Sequence, residues 1–263
     1  MTIVVDSKID LGGEIAPVRA RINRRARRYI VRVDSVSGTV LITAPSKRDV
    51  PAALRFAKSR ADWIKSELRS GPKAHSFEAG GICPYRGEDH LIINQGAPRG
   101  RVRIVPTHQD HFQNEADQNH PQQSQLPQLH VGGDRAHVNR RIIDWLKREA
   151  RTILSEKSDY YAERLGVKRG KIRIGDTRSR WGSCSADGCL SYSWRLILAP
   201  KEILDYVAAH ECTHLIHLNH SPAYWRLLAT LDVDARGARS WFRDHGERLF
   251  AYGETNGRLG LTP

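Results

Sequence analysis

The segment DYVAAHECTHLIHLNHSPAYW, which spans residues 205–225, decides the fold of this chain. Apolar residues recur at helical spacing in and just before it, which predicts a helix with one buried face. That face comprises Ile203, Leu204, Val207, Ala208, Cys212 and Leu215. Pro200 suits the first position of this helix, and Asn219 can adopt the left-handed conformation that ends helices. Pro222 then favours the start of a second helix.

The centre of the first helix carries the pattern H-E-x-x-H at His210, Glu211 and His214. Two histidines four residues apart lie one turn apart on the same helix face, so both rings can reach one ion. Glu211 stands beside such an ion and can take a proton from a metal-bound water. The pattern therefore predicts a zinc site that hydrolyses a bond. The alternative is a chance match on an ordinary helix face.

A catalytic zinc usually has three protein ligands and a water. The candidates for the third ligand are His217, His220, Asp232, Asp234 and Glu247. On a continuing helix His217 would lie about 10 Å from His210, too far for comfortable sharing of one ion. His220 follows the predicted turn at Asn219, so we expect His220 to be the third ligand. The role of His217 stays open between a substrate contact and a half-exposed helix residue.

The rest of the chain divides into three predicted regions. Residues 1–105 form a small β-rich module, with a hairpin over 28–44, one helix over 47–69 and short strands around 84–86, 90–94 and 102–105. Residues 106–128 are rich in Gln, Asn, His and Pro and predict a disordered surface insertion. Its histidines, His108, His111 and His120, are a weaker alternative metal site. Residues 129–263 form the catalytic domain.

Within that domain, residues 138–165 have helical periodicity, and Gly166 is well placed to end the helix. Residues 171–175 and 189–198 are predicted as strands. Two further helices are predicted over about 222–231 and 236–250. Together with the first module, this order of elements indicates an α+β fold.

Composition constrains the partners and the compartment. The net charge is +13, and arginines cluster at Arg19, Arg21, Arg24, Arg25, Arg27 and Arg28. Such charge attracts polyanions, so nucleic acid is a candidate partner, although no nucleic-acid-binding motif accompanies it. No apolar run is long enough to span a membrane, and the first twenty residues do not resemble a secretory signal. We therefore expect a cytoplasmic protein. The four cysteines are too scattered for a disulfide framework.

Four sequence blocks together resemble the YgjP-like metallopeptidase domain, which is related to the SprT and Wss1 zinc proteases. They are RWGSCS (180–185), LSYSWRLILAP (190–200), the 205–225 segment and RSWFRDHG (239–246). The resemblance implies a minimal zincin-like domain with a mixed sheet over the zinc helix. It also implies zinc on His210, His214 and His220, with Glu211 as the catalytic base. The strand 190–198 would lie at the sheet edge above the helix and pair with an extended peptide or protein substrate.

Three functions from different classes follow. The first is a zinc metallopeptidase, with Arg180, His217 and Tyr224 as candidate donors to the oxyanion. The second is a metal-dependent nucleotide pyrophosphatase, which the basic charge would suit, although the sequence has no phosphate-binding glycine loop of the G-x-x-x-x-G-K-[ST] type. The third is a protease associated with nucleic acid, which the arginine cluster alone supports.

Overall fold

The computed structural model describes residues 4–70, 74–96, 100–106, 126–177 and 180–253. They belong to two compact units, which divide between His75 and Ser76. The predicted insertion falls largely on residues 107–125, so its three histidines lie outside the described residues. The sequence placed the first boundary at residue 105. The strands between 76 and 105 instead belong to the second unit, because they share a sheet and a core with later elements.

The first unit contains a four-stranded mixed sheet. Its strands are β1 (Val4–Asp10), β2 (Ile15–Ile22), β3 (Ile30–Asp34) and β4 (Thr39–Ala44), in the spatial order β1-β2-β4-β3. The pair β3–β4 is the predicted hairpin, and β2 runs parallel to β4. Alternate residues of the strands are buried, such as Ala16, Val18 and Ala20 of β2, so one face of the sheet covers a core.

Two helices cover that face where the sequence predicted one. They are α1 (Val50–Lys58) and α2 (Ala61–Ser70), whose buried residues Ala53, Ala57 and Ile64 join the same core. The break occurs at Ser59, whose hydroxyl donates to the carbonyl of Phe56 at 2.8 Å. A serine that captures a nearby backbone carbonyl competes with the helical hydrogen-bond pattern, and this accounts for the interruption.

The second unit begins with another four-stranded sheet. Its strands are β5 (Ile82–Tyr85), β6 (Glu88–Asn94), β7 (Arg103–Val105) and β8 (Gln128–Val131), in the order β5-β6-β8-β7. The long helix α3 (Val138–Arg164) follows, and Gly166, with φ of +68°, stands just beyond its end as predicted. Buried residues of this sheet and of α3 belong to one large core, which includes Ile92, Leu129 and Leu146.

A three-stranded mixed sheet comes next, with the strands β9 (Ile172–Gly175), β10 (Gly182–Cys184) and β11 (Leu190–Ser193). The order is β10-β11-β9, so β11 is the central strand. Strand β11 is shorter than the strand predicted over 189–198, because Trp194–Leu198 forms a 3-10 turn. Every residue of that turn is buried, and such a run has no periodicity that separates strand from helix.

Three helices complete the second unit: α4 (Lys201–Thr213), α5 (Pro222–Ala229) and α6 (Ala235–Leu249). Pro200 caps the start of α4, one position before the predicted place. The whole arrangement is an α+β fold with a mixed sheet beside α4, as predicted. Among the helices of the described residues, none is both long and apolar enough to cross a bilayer.

Candidate metal centre

Helix α4 is held in the core of the second unit. Five residues of its predicted apolar face are buried and Leu215 is half-buried, and Ala209, outside that face, has no exposed surface. The Cys212 thiol donates to the carbonyl of Ser158 on α3, at 3.4 Å. A helix packed on several sides is a rigid support, so the side chains that project from its end are fixed in direction.

Three histidine rings converge at the end of α4. One nitrogen from each of His210, His214 and His220 lies within 4.8 Å of the other two. The Nε2 atoms of His210 and His220 are 3.2 Å apart. Two imidazoles on a tetrahedral zinc, each about 2.0–2.1 Å from the ion, would have nitrogens roughly 3.3 Å apart. The observed separation therefore fits a pair of ligands to one small cation.

The backbone turn that returns His220 differs from the predicted one. Helix α4 ends at Thr213, and the amide of His217 donates back to the Thr213 carbonyl at 3.0 Å. Asn219 is not left-handed, since Arg86 and Asp232 are the described non-glycine residues with positive φ. Its side chain instead accepts from the amide of Ser221 at 3.2 Å. The chain thus turns earlier than expected, through tight hydrogen bonds rather than a left-handed cap.

Hydrogen bonds fix the orientation of the His214 ring. Its Nδ1 lies 2.9 Å from the carbonyl oxygen of His217, so Nδ1 carries the proton and Nε2 keeps its lone pair. His217 therefore contributes through its backbone, and its side chain is not in the three-histidine cluster. The Nδ1 of His210 faces the Tyr206 hydroxyl at 3.5 Å. Outer contacts of this kind are typical of imidazoles that bind a metal.

Tyr224 forms the floor of the cluster. It has no exposed surface, and its ring centroid lies 4.7–5.4 Å from those of His210, His214 and His220. Its hydroxyl donates to the carbonyl oxygen of His210 at 3.1 Å. The Tyr224 hydroxyl thus donates its hydrogen to the α4 backbone, which argues against its predicted role as an oxyanion donor.

Glu211 lies beside the cluster and under strand β10. Glu211 is almost fully buried, with 5% of its surface exposed. A β-carbon placed on Gly182 would stand only 2.4 Å from the Glu211 Oε1 atom. A side chain at 182 would therefore force the Glu211 carboxyl to shift, and glycine leaves room for that carboxyl against the strand. The contact between Gly182 and Glu211 was not predicted, because no local pattern in the sequence indicates it.

Burial controls the protonation of these groups. It lowers the pKa of His210 to about 4, and the neighbouring histidines act in the same direction. Burial also lowers the pKa of His214. Both imidazoles are therefore neutral near pH 7 and can donate lone pairs to a cation. Burial raises the pKa of the Glu211 carboxyl to about 8, and the positive charge of Arg180 opposes that rise. A cation beside Glu211 would favour its ionised form.

The remaining candidate ligands have other roles or lie apart. Asp232 accepts from Arg164 at 2.8 Å, and Asp234 caps α6 by accepting from the Gly237 amide. Glu247 is not in the cluster of described metal-binding side chains. One neighbour was not predicted: Arg239 of α6 lies over the Trp225 ring, which in turn stacks on His220. The candidate metal ligands that the structure brings together are thus the imidazoles of His210, His214 and His220.

A comparison with family models gives a match to the YgjP-like, metallopeptidase domain over residues 27–245. The chain belongs to the YgjP-like metallopeptidase family. The matched residues include all three clustered histidines and Glu211. By family, therefore, the chain is a metal-dependent peptidase.

Two further comparisons add little. Among solved structures, the chain is similar to one described as the metallopeptidase zymogen of Pyrococcus abyssi abylysin. The identity is 20% and the TM-score 0.32, with 36% of this chain and 93% of the other covered. That similarity is too weak to support an argument. No curated protein matches the chain.

Proposed function

We propose that the chain is a zinc-dependent peptidase in which His210, His214 and His220 hold the ion. The observation that carries this proposal is the convergence of three ring nitrogens beside a buried carboxyl. Three imidazoles suit zinc among the common biological cations, whereas magnesium and calcium prefer oxygen ligands. With three protein ligands, a fourth position stays open for water.

Glu211 is the proposed general base. Zinc, when bound, polarises the scissile carbonyl and lowers the pKa of its water toward about 7. Glu211 then takes the water proton and later passes it to the leaving amine. Its burial under Gly182 favours this role, because the carboxyl has little room to turn away.

The proposed substrate site is the open edge of β10, which replaces the predicted pairing with β11. Strand β11 is flanked on both sides, by β10 and by β9. At the two ends of β10, the Trp181 carbonyl accepts from the Ser193 amide and the Ser185 amide donates to the Cys189 carbonyl, both toward β11. Hydrogen-bonding groups alternate along a strand, so those of Gly182 and Cys184 point outward. An extended peptide can pair there, directly beside Glu211.

Arg180 is the favoured donor to the oxyanion among the predicted candidates. The Tyr224 hydroxyl is bound to the α4 backbone, and the His217 side chain is not in the three-histidine cluster. Arg180 is exposed, and its positive charge reaches Glu211. A cation in that position can stabilise negative charge that develops near the base.

The test is Glu211→Gln in zinc-loaded protein, with cleavage of unfolded casein as the assay. We expect zinc content to stay near one ion per chain and cleavage to fall by at least about 100-fold, as expected when a general base is removed. The matched control is Glu202→Gln, an exposed glutamate on the same helix, which should cleave normally. Unchanged cleavage in the Glu211 variant would overturn the proposal. So would triphosphate hydrolysis that depends on Glu211 in a protein that cuts no peptide.

A further inference from the structure

The positive charge of the chain is concentrated in its first unit. Residues 1–75 contain 16 lysines and arginines against 7 aspartates and glutamates, a net charge of +9 out of +13 for the whole chain. The proposed peptidase site makes no use of this charge. Seven exposed arginines, here called the arginine face, account for much of it: Arg19, Arg21, Arg24, Arg25, Arg27, Arg28 and Arg32.

The sheet of the first unit presents three of these arginines on one side. In β2 the buried residues Ala16, Val18 and Ala20 alternate with the exposed Arg19 and Arg21. Arg19 is in register with Leu41 of β4, and Leu41 is in register with Arg32 of β3. Residues in register project to the same side of a sheet. Arg19, Arg21 and Arg32 therefore lie on the face opposite the helices.

The other four arginines lie in the connection between β2 and β3. That connection passes the end of β4, where the amide of Asn23 donates to the Ala44 carbonyl at 2.9 Å. The Asn23 side chain accepts from the amide of Arg25 at 3.1 Å, and the Ala26 amide donates to the Asn23 carbonyl at 2.9 Å. These bonds form a turn over residues 23–26 of the connection. The four arginines therefore lie at the end of the sheet where β2 ends and β3 begins, next to Arg21.

Almost none of this charge is neutralised. Within the described residues Arg19 pairs with Asp6 at 3.1 Å, and the other six arginines have no ion pair. Arg19 and Arg21 are two residues apart on one strand, about 6.6 Å, and Arg32 lies two strands away, about 10 Å, so these three side chains emerge from a small area. Unpaired cations in such an area repel one another, and a polyanion relieves that repulsion.

We infer that the arginine face binds the phosphate backbone of a nucleic acid. Guanidinium groups present paired donors that match phosphate oxygens, and arginines outnumber lysines on this side of the sheet, where Arg19, Arg21 and Arg32 stand with the exposed Lys8. An anionic membrane fits less well, because membrane-surface binding also needs a row of apolar side chains. On this side of the sheet, Ile15 and Ile30 are the large apolar residues that the structure describes as exposed. The contacts would be to phosphate, without sequence preference.

The test measures binding of the full chain, as Glu211→Gln, to a fluorescent 20-base-pair DNA duplex across a range of salt concentrations. Contacts to four to six phosphates would give log K against log salt a slope of about −4 to −5. The triple variant Arg24→Gln, Arg25→Gln, Arg28→Gln should weaken binding by at least tenfold at low salt. It should also reduce the slope by about 2 to 3, in proportion to the charges removed.

The control removes three charges from α1, α2 and the turn between them in the same unit: Arg55→Gln, Arg60→Gln, Lys65→Gln. It should bind DNA within about twofold of the parent, since only general charge is lost. Equal loss in both triple variants would overturn the inference, because the effect would then follow net charge and not the arginine face. Binding to vesicles of 30% anionic lipid without binding to DNA would also overturn it. Because the parent protein lacks Glu211, neither outcome depends on peptidase activity.

Discussion

At the scale of single residues, the H-E-x-x-H spacing was enough to predict that His210 and His214 share one helix face with Glu211 next to them, because helix geometry alone places them so. His220 was predicted because a turn had to follow the helix, although the turn itself was wrong in detail. The contacts of Gly182 and Tyr224 were not predictable. Each depends on a partner that tertiary structure brings close, and neither leaves a periodic signal in the sequence.

Tyr224→Phe separates a structural from a catalytic role of the phenol. Loss of the bond to the His210 carbonyl should reduce the free energy of unfolding by about 1 kcal/mol, with the ring still packed. Peptide cleavage at saturating substrate should stay within a few-fold of wild type. Urea unfolding and steady-state kinetics measure the two effects. A fall of more than about 100-fold in kcat would instead indicate oxyanion stabilisation by Tyr224.

Gly182→Ala tests the close approach of β10 to the base. The added methyl group would collide with the Glu211 carboxyl, so that carboxyl must move. We expect cleavage to fall at least tenfold while zinc content is unchanged, because the histidines are not displaced. The control is Gly175→Ala in the same sheet, where a β-carbon has no neighbour within 4 Å. Similar activity in both variants would show that the contact at Gly182 does not position Glu211.

At the scale of elements, strands with local partners were easier to predict than strands with distant ones. The β3–β4 hairpin was predicted and is confirmed. No prediction covered β1 and β2, and Pro17 falls inside β2, where proline usually argues against a strand. Pro17 is tolerated because the pairing of β2 with β4 begins only at Val18. The missing amide therefore removes no bond from that parallel ladder.

Substrate pairing with the open edge of β10 would depend on particular backbone amides of the substrate. A peptide that pairs with Gly182 and Cys184 would use the amides of alternate residues. N-methylation of those amides should raise KM by about tenfold or more, whereas methylation of the residues between them should have a smaller effect. A series of singly methylated peptides with one cleavage site measures this. Equal effects at all positions would contradict strand pairing on β10.

At the scale of the whole molecule, the position of the unit boundary could not be predicted locally. Strand β6 pairs with β8 on the far side of the insertion, with Leu91 in register with Gln128. Such a pairing depends on residues far apart in sequence, so composition alone suggested a boundary at the insertion. The α+β fold was nevertheless predictable, because the long helices and short strands each have their own periodicity.

Zinc should stabilise the second unit as a whole, because His220 ties the segment before α5 to helix α4. A ligand at 100 times its dissociation constant adds about 2.7 kcal/mol to the free energy of unfolding. Calorimetry should therefore show a higher Tm with zinc and a lower one with a chelator. His220→Ala should lose most of the zinc-dependent rise. His217→Ala should keep it, because the His217 backbone carbonyl that orients His214 remains.

The most direct test of the central claim is anomalous X-ray diffraction at the zinc absorption edge, from crystals of the zinc-loaded chain. The proposal predicts one strong peak, about 2.0–2.1 Å from a ring nitrogen of each of His210, His214 and His220. A peak held by other side chains would contradict it. So would the absence of any peak at these three rings in crystals that contain zinc.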